Sequence, residues 1–116
     1  MPEHKIFSMA WAKLYPNWVA KVERKGRTAA DVEEVFCWFS GHTPASLAET
    51  LDSDMTTGDV FRNLPHPNPS RKLITGVVCG VRVEEVEDDF MRELRYVDKL
   101  IDELAKGKAM EKILRR

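Results

Sequence analysis

Apolar residues recur at helical spacing along much of the chain, and capping residues separate these runs. Positions 32, 35, 36 and 39 are apolar and follow Thr28-Ala29-Ala30-Asp31, which is typical of a capping box with aspartate in place of glutamate. This pattern predicts a helix that ends at Gly41. Thr43-Pro44 predicts the start of the next helix, with threonine as the cap and proline in the first turn.

The second half of the chain repeats these signals. Thr57-Gly58-Asp59 predicts a short helix, and Asp88 is a cap for a long one that ends at Gly107. The long helix carries a heptad-like stripe, whose members are Phe90, Leu94, Val97, Ile101 and Leu104. A last short helix is predicted around Met110, Ile113 and Leu114.

The first segment, residues 8–25, has helical character with a break at Tyr15-Pro16. Because proline disfavours helix in the residue before it, we predict that a new helix begins at Pro16 and stops near Gly26. Trp11, Tyr15 and Trp18 are spaced by four and three residues, so a nearly continuous helix would align them with Val22 as a core stripe. The alternative is an exposed aromatic platform beside Lys21 and Arg71.

Residues 64–83 are the hardest to interpret. Three alternate prolines in residues 65–69 predict an extended connector. The spacing of apolar residues after it favours a helix from Pro69 to Cys79, followed by an extended piece. Gly76 and Gly80 weaken that helix, and the valines around them also suit strands.

These elements predict a mainly α, compact multi-helix single domain that spans residues 1–116. The alternative is an α+β fold with a short sheet element around residues 76–84. We expect one shared core that contains Val32, Val35, Phe36, Phe39, Phe90, Leu94, Val97 and Ile101.

Composition supports a folded protein, since 43% of the residues are apolar and 32% are charged. No apolar run approaches the ~20 residues that span a bilayer, and the first residues lack the pattern of a signal peptide. Cys37 and Cys79 each lie in an apolar run, which predicts reduced, mostly buried thiols. We therefore expect a cytoplasmic protein.

Charge is arranged in blocks behind a net charge of −1. Residues 31–60 contain acids but no lysine or arginine, and residues 61–82 contain the reverse. Such blocks can pair within a fold or between copies, and pairing of Arg71, Lys72 and Arg82 with the acids of residues 31–60 is favoured. The terminal helix, widened by Met91 and Leu100, offers an apolar face for self-association as a homo-oligomer.

Chemical motifs are sparse. Histidines and cysteines lack metal-ligand spacing, and no phosphate loop or catalytic signature occurs, so no metal and no cofactor is expected. The acidic cluster of residues 84–89 fits the start of a helix better than an ion site. A basic tail is the weak basis for nucleic-acid binding, through Lys106, Lys108, Lys112, Arg115 and Arg116.

Two function classes remain from this pattern. The first is a non-enzymatic binding or interaction module that self-associates, with a protein or small-molecule partner. The second is a small enzyme, or a protein that binds a small anion or metabolite. Its candidate site combines a phenol, cations, an amide and a thiol, namely Tyr15, Lys21, Asn68, Arg71, Cys79 and Arg82.

The longest specific sequence is residues 98–115, from Asp98-Lys99-Leu100-Ile101 to Arg115. Together with Tyr15-Pro16, Gly26-Arg27-Thr28, Asn68-Pro69 and residues 76–84, it resembles the domain-of-unknown-function 2200 family of small bacterial proteins over nearly the full length. The resemblance implies no activity for this chain and identifies no catalytic residue in it. Relatives tend to have proline where this chain has Asp89, which implies that a helix starts there.

Overall fold

The computed structural model describes residues 5–78 and 80–114, and within these ranges the chain is mainly helical. The helices are α1 (Trp11–Glu23), α2 (Ala29–Ser40), α3 (Pro44–Leu51), α4 (Thr57–Arg62), α5 (Asp89–Ala105) and α6 (Met110–Ile113). Strands β1 (Val77–Val78) and β2 (Val81–Arg82) pair antiparallel, with Val77 opposite Arg82 and Val78 opposite Val81. The 3-10 turns are Lys5–Ser8, Pro69–Leu73 and Val83–Glu85. The predicted mainly α fold is confirmed.

Side-chain caps begin four of the helices. The hydroxyls of Thr28, Thr43 and Thr56 each accept a backbone N–H three residues on, and Asp88 does the same for α5. The three threonine caps are complete capping boxes. These contacts are local, which is why the predicted starts of α2, α3, α4 and α5 are confirmed, with Thr56 as the cap of α4.

Helix α5 is central to the core, where it packs against α1, α2 and α4 and against β1. Seven of the eight predicted core residues are buried, as are Leu100 and Leu104 of the same helix. The prediction was wrong for Phe90, which is 44% exposed. Phe90 lies in the first turn of α5, and its ring contacts the Arg62 guanidinium at 5.6 Å from the ring centroid instead of packing in the core.

The predicted break at Pro16 was wrong, because α1 runs without interruption from Trp11 to Glu23 with Pro16 inside it. A proline inside a helix removes one backbone hydrogen bond and costs about 3 kcal/mol. The continuous helix aligns Trp11, Tyr15 and Trp18 on one buried face with Val22. Burial of these large rings outweighs the cost, so the predicted core stripe is confirmed and the exposed platform is wrong.

The predicted helix from Pro69 to Cys79 was wrong beyond its first turn. A 3-10 turn ends at Leu73, and the β1–β2 hairpin follows, as the alternative with a short sheet element near residues 76–84 anticipated. Gly76 has a φ of 111°, a conformation that other residues rarely adopt and that a helix cannot contain. Burial of Ile74 and Val78 holds the segment to the core. Cys79 lies outside the described residues.

The proline-rich connector docks on the end of α2. The N–H groups of His66 and Asn68 donate to the carbonyls of Ser40 and Phe39 at 3.0 Å each. Gly41 makes this approach possible, because a Cβ there would lie 2.6 Å from the backbone of His66. The connector is thereby fixed against the helical core.

Apart from Phe90, the apolar stripe of α5 is covered by the rest of the chain, since Leu94, Val97, Leu100, Ile101 and Leu104 are all buried. These buried residues offer no apolar face to a second copy. Self-association stays a prediction that must rest on other surfaces.

Among the described residues, no helix combines the length and the apolar character needed to cross a membrane.

Candidate ligand-binding groove

A groove of about 380 Å³ lies between the end of α4, the proline-rich connector with its 3-10 turn, and the first half of α5. We call it the α4–α5 groove. Its lining divides into an apolar part and a charged part. The apolar part is Phe61, Leu64, Pro67, Phe90 and Tyr96, and the charged part is Arg62, Arg71, Lys72, Asp89, Arg92 and Glu93. The volume falls in the range of small-molecule sites, roughly 300–1,000 Å³.

Arg71 is the most firmly positioned cation of the groove. Its Nε donates to both carboxylate oxygens of Glu93, at 2.8 and 3.0 Å, and its Nη1 donates to the Asn68 carbonyl at 2.9 Å. Asn68 is itself fixed, because its side chain accepts the Ser70 N–H at 2.9 Å and so begins the 3-10 turn. The guanidinium is held from both sides before any ligand arrives.

Arg92, in the first half of α5, is also fixed by hydrogen bonds within the chain. Its Nη1 donates to the Val86 carbonyl at 2.9 Å and its Nη2 to Asp89 at 2.6 Å. The hydrogen bond to Asp89 raises the pKa of Arg92, and the nearby negative charges of Asp89 and Glu93 add to the effect. Arg92 therefore stays cationic under all physiological conditions.

The aromatic part of the groove contains one exposed ring, Phe90, and two buried rings, Phe61 and Tyr96. Phe90 is 44% exposed, whereas Tyr96 is 5% exposed. Within the part of the chain that the structure describes, no group forms a hydrogen bond with the Tyr96 hydroxyl, yet no buried side-chain oxygen there lacks a partner. The hydroxyl therefore keeps contact with solvent, and its residue lines the groove.

A second hollow, of about 300 Å³, lies among α1, α2 and α3 and includes Tyr15 and Glu33. Burial raises the pKa of the Tyr15 phenol, and Glu33 adds to that shift. Burial and Glu33 likewise raise the pKa of the Cys37 thiol. Cys37 was predicted to be mostly buried, and it is half-buried. Both groups are held in their protonated forms, and a protonated thiol is a poor nucleophile.

The six residues of the predicted ligand site occupy several places. Asn68 and Arg71 adjoin each other at the groove, while Tyr15 is buried in the core and lines the second hollow. Lys21 lies 3.8 Å from Asp102 of α5. Since Asp102 and Glu93 are nine residues apart, Lys21 and Arg71 meet α5 at points about 13.5 Å apart along its axis.

Arg82 lies on β2 and pairs with Glu85 at 3.3 Å, and Cys79 lies outside the described residues. The predicted pairing of Arg71 and Arg82 with acids of residues 31–60 was therefore wrong. Their acidic partners, Glu93 and Glu85, come from α5 and the turn before it, because the 3-10 turn and the hairpin face that part of the chain.

Other charged segments have local structural roles. In the acidic cluster, Glu84 accepts the Gly76 N–H, which lowers the pKa of its carboxyl, and Asp88 caps α5. In the basic tail, Lys106 pairs with Asp102 and Lys108 with Glu103. Arg115 and Arg116 lie outside the described residues, and among those described no cluster of histidine, cysteine or acidic residues fits a metal ion.

Sequence reasoning missed most of the groove. Asp89, Arg92, Glu93 and Tyr96 recur at helical spacing, so they share one face of α5 beside its apolar stripe. That spacing could have identified the shared face from the sequence. No sequence pattern indicates that this face lies near Arg71 and Lys72, because their proximity depends on how the proline-rich connector folds back.

Comparisons with known proteins agree with this fold. A family described as "Uncharacterized protein conserved in bacteria (DUF2200)" matches residues 5–115. A solved structure, "Crystal structure of uncharacterized protein SP1917", is 44% identical, with a TM-score of 0.92 over 97% of this chain and 93% of that one. No curated protein matches the chain. The chain belongs to the domain-of-unknown-function 2200 family, as its sequence resemblance implied.

Proposed function

We propose that this protein is a non-enzymatic binding module that takes a small anionic ligand in the α4–α5 groove. The observation that carries the proposal is the concentration of cations around a groove that also has an apolar wall. Four cationic side chains and two carboxylates line it, and the carboxylates are paired with Arg71 and Arg92. The chain as a whole has a net charge of −1, so the concentration of cations is local.

The positioning of the cations supports the same proposal. Arg71 and Arg92 are each held by a carboxylate and a backbone carbonyl, so little side-chain freedom would be lost on binding. A planar guanidinium keeps further N–H donors available after two are used. Lys72 is exposed on the adjoining turn and adds a positive charge to the lining of the groove.

Binding fits the state of the Tyr15 phenol, the Cys37 thiol and the groove carboxylates better than catalysis does. The Tyr15 phenol and the Cys37 thiol both have raised pKa values because of burial, so neither is prepared to act as a nucleophile. The carboxylates of the groove, Asp89 and Glu93, are each engaged by an arginine. Their role in this proposal is to orient cations.

The test is calorimetric titration at low ionic strength with phosphate, acetate, benzoate and neutral glycerol. We expect the anions, but not glycerol, to bind and to raise the melting temperature. Lys72→Gln and Arg92→Gln should each weaken anion binding by at least ~5-fold, since each removes one positive charge. Lys13→Gln, an exposed lysine on α1, is the matched control and should bind as the wild type does.

Two results would overturn the proposal. One is a complete lack of anion binding by the folded wild-type protein. The other is binding that Lys72→Gln and Lys13→Gln weaken equally, because the affinity would then depend on net charge and not on the groove.

Self-association is a second proposal, supported by three exposed apolar side chains, Leu73 (57%), Val77 (47%) and Phe90 (44%). Sedimentation equilibrium of the wild type and of Val77→Lys tests it. A dimer that Val77→Lys dissociates would support an interface at the β1–β2 hairpin. A mass of 13.3 kDa at every concentration would contradict it.

A further inference from the structure

We infer that the ligand of the α4–α5 groove is a phosphate monoester that carries a flat ring, with the ring against Phe90 and the phosphate among the cations. The inference rests on the proposed function and names the ligand class for that same site. Three observations support it: the volume of the groove, the exposure of Phe90 and the environment of the Tyr96 hydroxyl.

The groove has room for more than an inorganic ion. Its volume is about 380 Å³, whereas a water molecule occupies roughly 30 Å³ and a bare oxyanion is only a few times larger. A small inorganic anion would neutralise the cations but would leave the apolar wall, formed by Phe61, Phe90 and Tyr96, in contact with water. An anion with an attached organic group would fill both parts of the groove.

Phe90 provides the surface for a ring. It is exposed although it lies beside buried aromatic residues, and the Arg62 guanidinium lies 5.6 Å from its centroid. Flat rings stack on phenylalanine and on guanidinium groups in offset geometry. A sugar or an aliphatic chain would gain less from this pair, because stacking uses the π-face of the ligand.

Tyr96 provides a donor for the phosphate. The residue is 5% exposed, lines the groove and has a hydroxyl without a hydrogen-bond partner among the described residues. Tyr96 and Arg92 are four residues apart on α5, so they share one face of the helix, and both line the groove. An O–H donor beside the Arg71, Lys72 and Arg92 cations suits a phosphate oxygen.

The experiment is calorimetric titration of the full chain with adenosine 5′-monophosphate, ribose 5-phosphate, adenosine and inorganic phosphate. We expect the nucleotide to bind roughly 10-fold more tightly than ribose 5-phosphate or adenosine, from stacking and charge respectively. Phe90→Leu should abolish the advantage of the nucleotide over ribose 5-phosphate and leave the affinity for ribose 5-phosphate unchanged. Tyr96→Phe should weaken both phosphate esters and not adenosine.

Val77→Ala, a change at another exposed apolar residue, is the control and should leave all affinities unchanged. Equal affinity for the nucleotide and ribose 5-phosphate would overturn the claim that the groove binds a flat ring. Equal affinity for the nucleotide and adenosine would overturn the claim that it binds a phosphate. Binding of benzoate or acetate without binding of the esters would overturn this inference while the anion-binding function stands. Failure of every anion to bind would overturn the proposed function itself.

Discussion

The molecule contains two aromatic regions that differ in enclosure. In the closed cluster, formed by Trp11, Tyr15, Trp18, Phe36 and Phe39, the rings lie 5.1–6.4 Å from their neighbours and all are buried. The Trp11 indole N–H donates to the Thr50 hydroxyl at 3.0 Å, so its polar group is satisfied within the chain. In the groove, Phe90 is exposed and the Tyr96 hydroxyl has no partner among the described residues.

Phe61 belongs to both regions, since it contacts Trp11, Phe36 and Phe39 and also lines the groove. The comparison teaches that an aromatic side chain stabilises the fold where its neighbours enclose it and satisfy its polar atoms. Where cations surround it and polar atoms face solvent, the same residue type is available to a ligand.

The largest expected effect is the difference between Trp11→Ala and Phe90→Ala. Trp11→Ala removes a fully buried ring at the centre of the closed cluster and should lower the free energy of unfolding by about 3–5 kcal/mol. Phe90→Ala removes an exposed ring and should cost less than about 1 kcal/mol. Urea denaturation followed by tryptophan fluorescence or circular dichroism measures both.

Leu73→Ala, at another exposed apolar residue, is the control for Phe90→Ala. Equal losses at Trp11 and Phe90 would contradict the distinction between a closed and an open region.

A smaller effect is expected for the ion pair that positions the groove. Glu93→Gln leaves the partly buried Arg71 without its charged acceptor and should cost about 1–2 kcal/mol. Glu85→Gln breaks the more exposed pair with Arg82 and should cost less than about 0.5 kcal/mol. Chemical denaturation of both variants, with a double-mutant cycle at Arg71 and Glu93, measures the coupling.

The prediction for this pair fails if Glu85→Gln costs as much as Glu93→Gln. The two pairs would then contribute alike despite their different burial.

The smallest effect concerns pH at the edge of the closed cluster, where His42 stacks on Phe36 with centroids 6.2 Å apart. Burial lowers the pKa of His42 below its ordinary value of 6.5. As pH falls through 6.5, the unfolded chain binds a proton before the native protein does, so stability decreases. Denaturation curves between about pH 7.5 and 5.5 should therefore show a shallower decline for His42→Gln than for the wild type.

His66→Gln, on the exposed connector, is the control variant for the pH series. Identical slopes for the wild type and His42→Gln would contradict the role of His42.

The predictability of each region follows the range of the contacts that form it. The threonine and aspartate caps act within three residues, and the aromatic spacing in α1 acts within two turns, so both are readable along the chain. The break at Pro16 was wrongly predicted because burial of Trp11, Tyr15 and Trp18 overrides the local preference of proline. Of the groove lining, Arg71 was selected as a candidate residue, together with Asn68, which positions it, and the face of α5 opposite them was missed.

The sequence by itself determined the mainly helical fold, most helix starts and nearly all of the shared core, because capping and apolar periodicity are local properties. Only the tertiary structure decided which side chains form the groove. Arg71 meets Glu93 across 22 residues of chain, and the proline-rich connector that precedes Arg71 is positioned by Gly41 and by hydrogen bonds to the end of α2. Contacts at such separation depend on how whole elements pack, and the pattern of neighbouring residues does not contain that information.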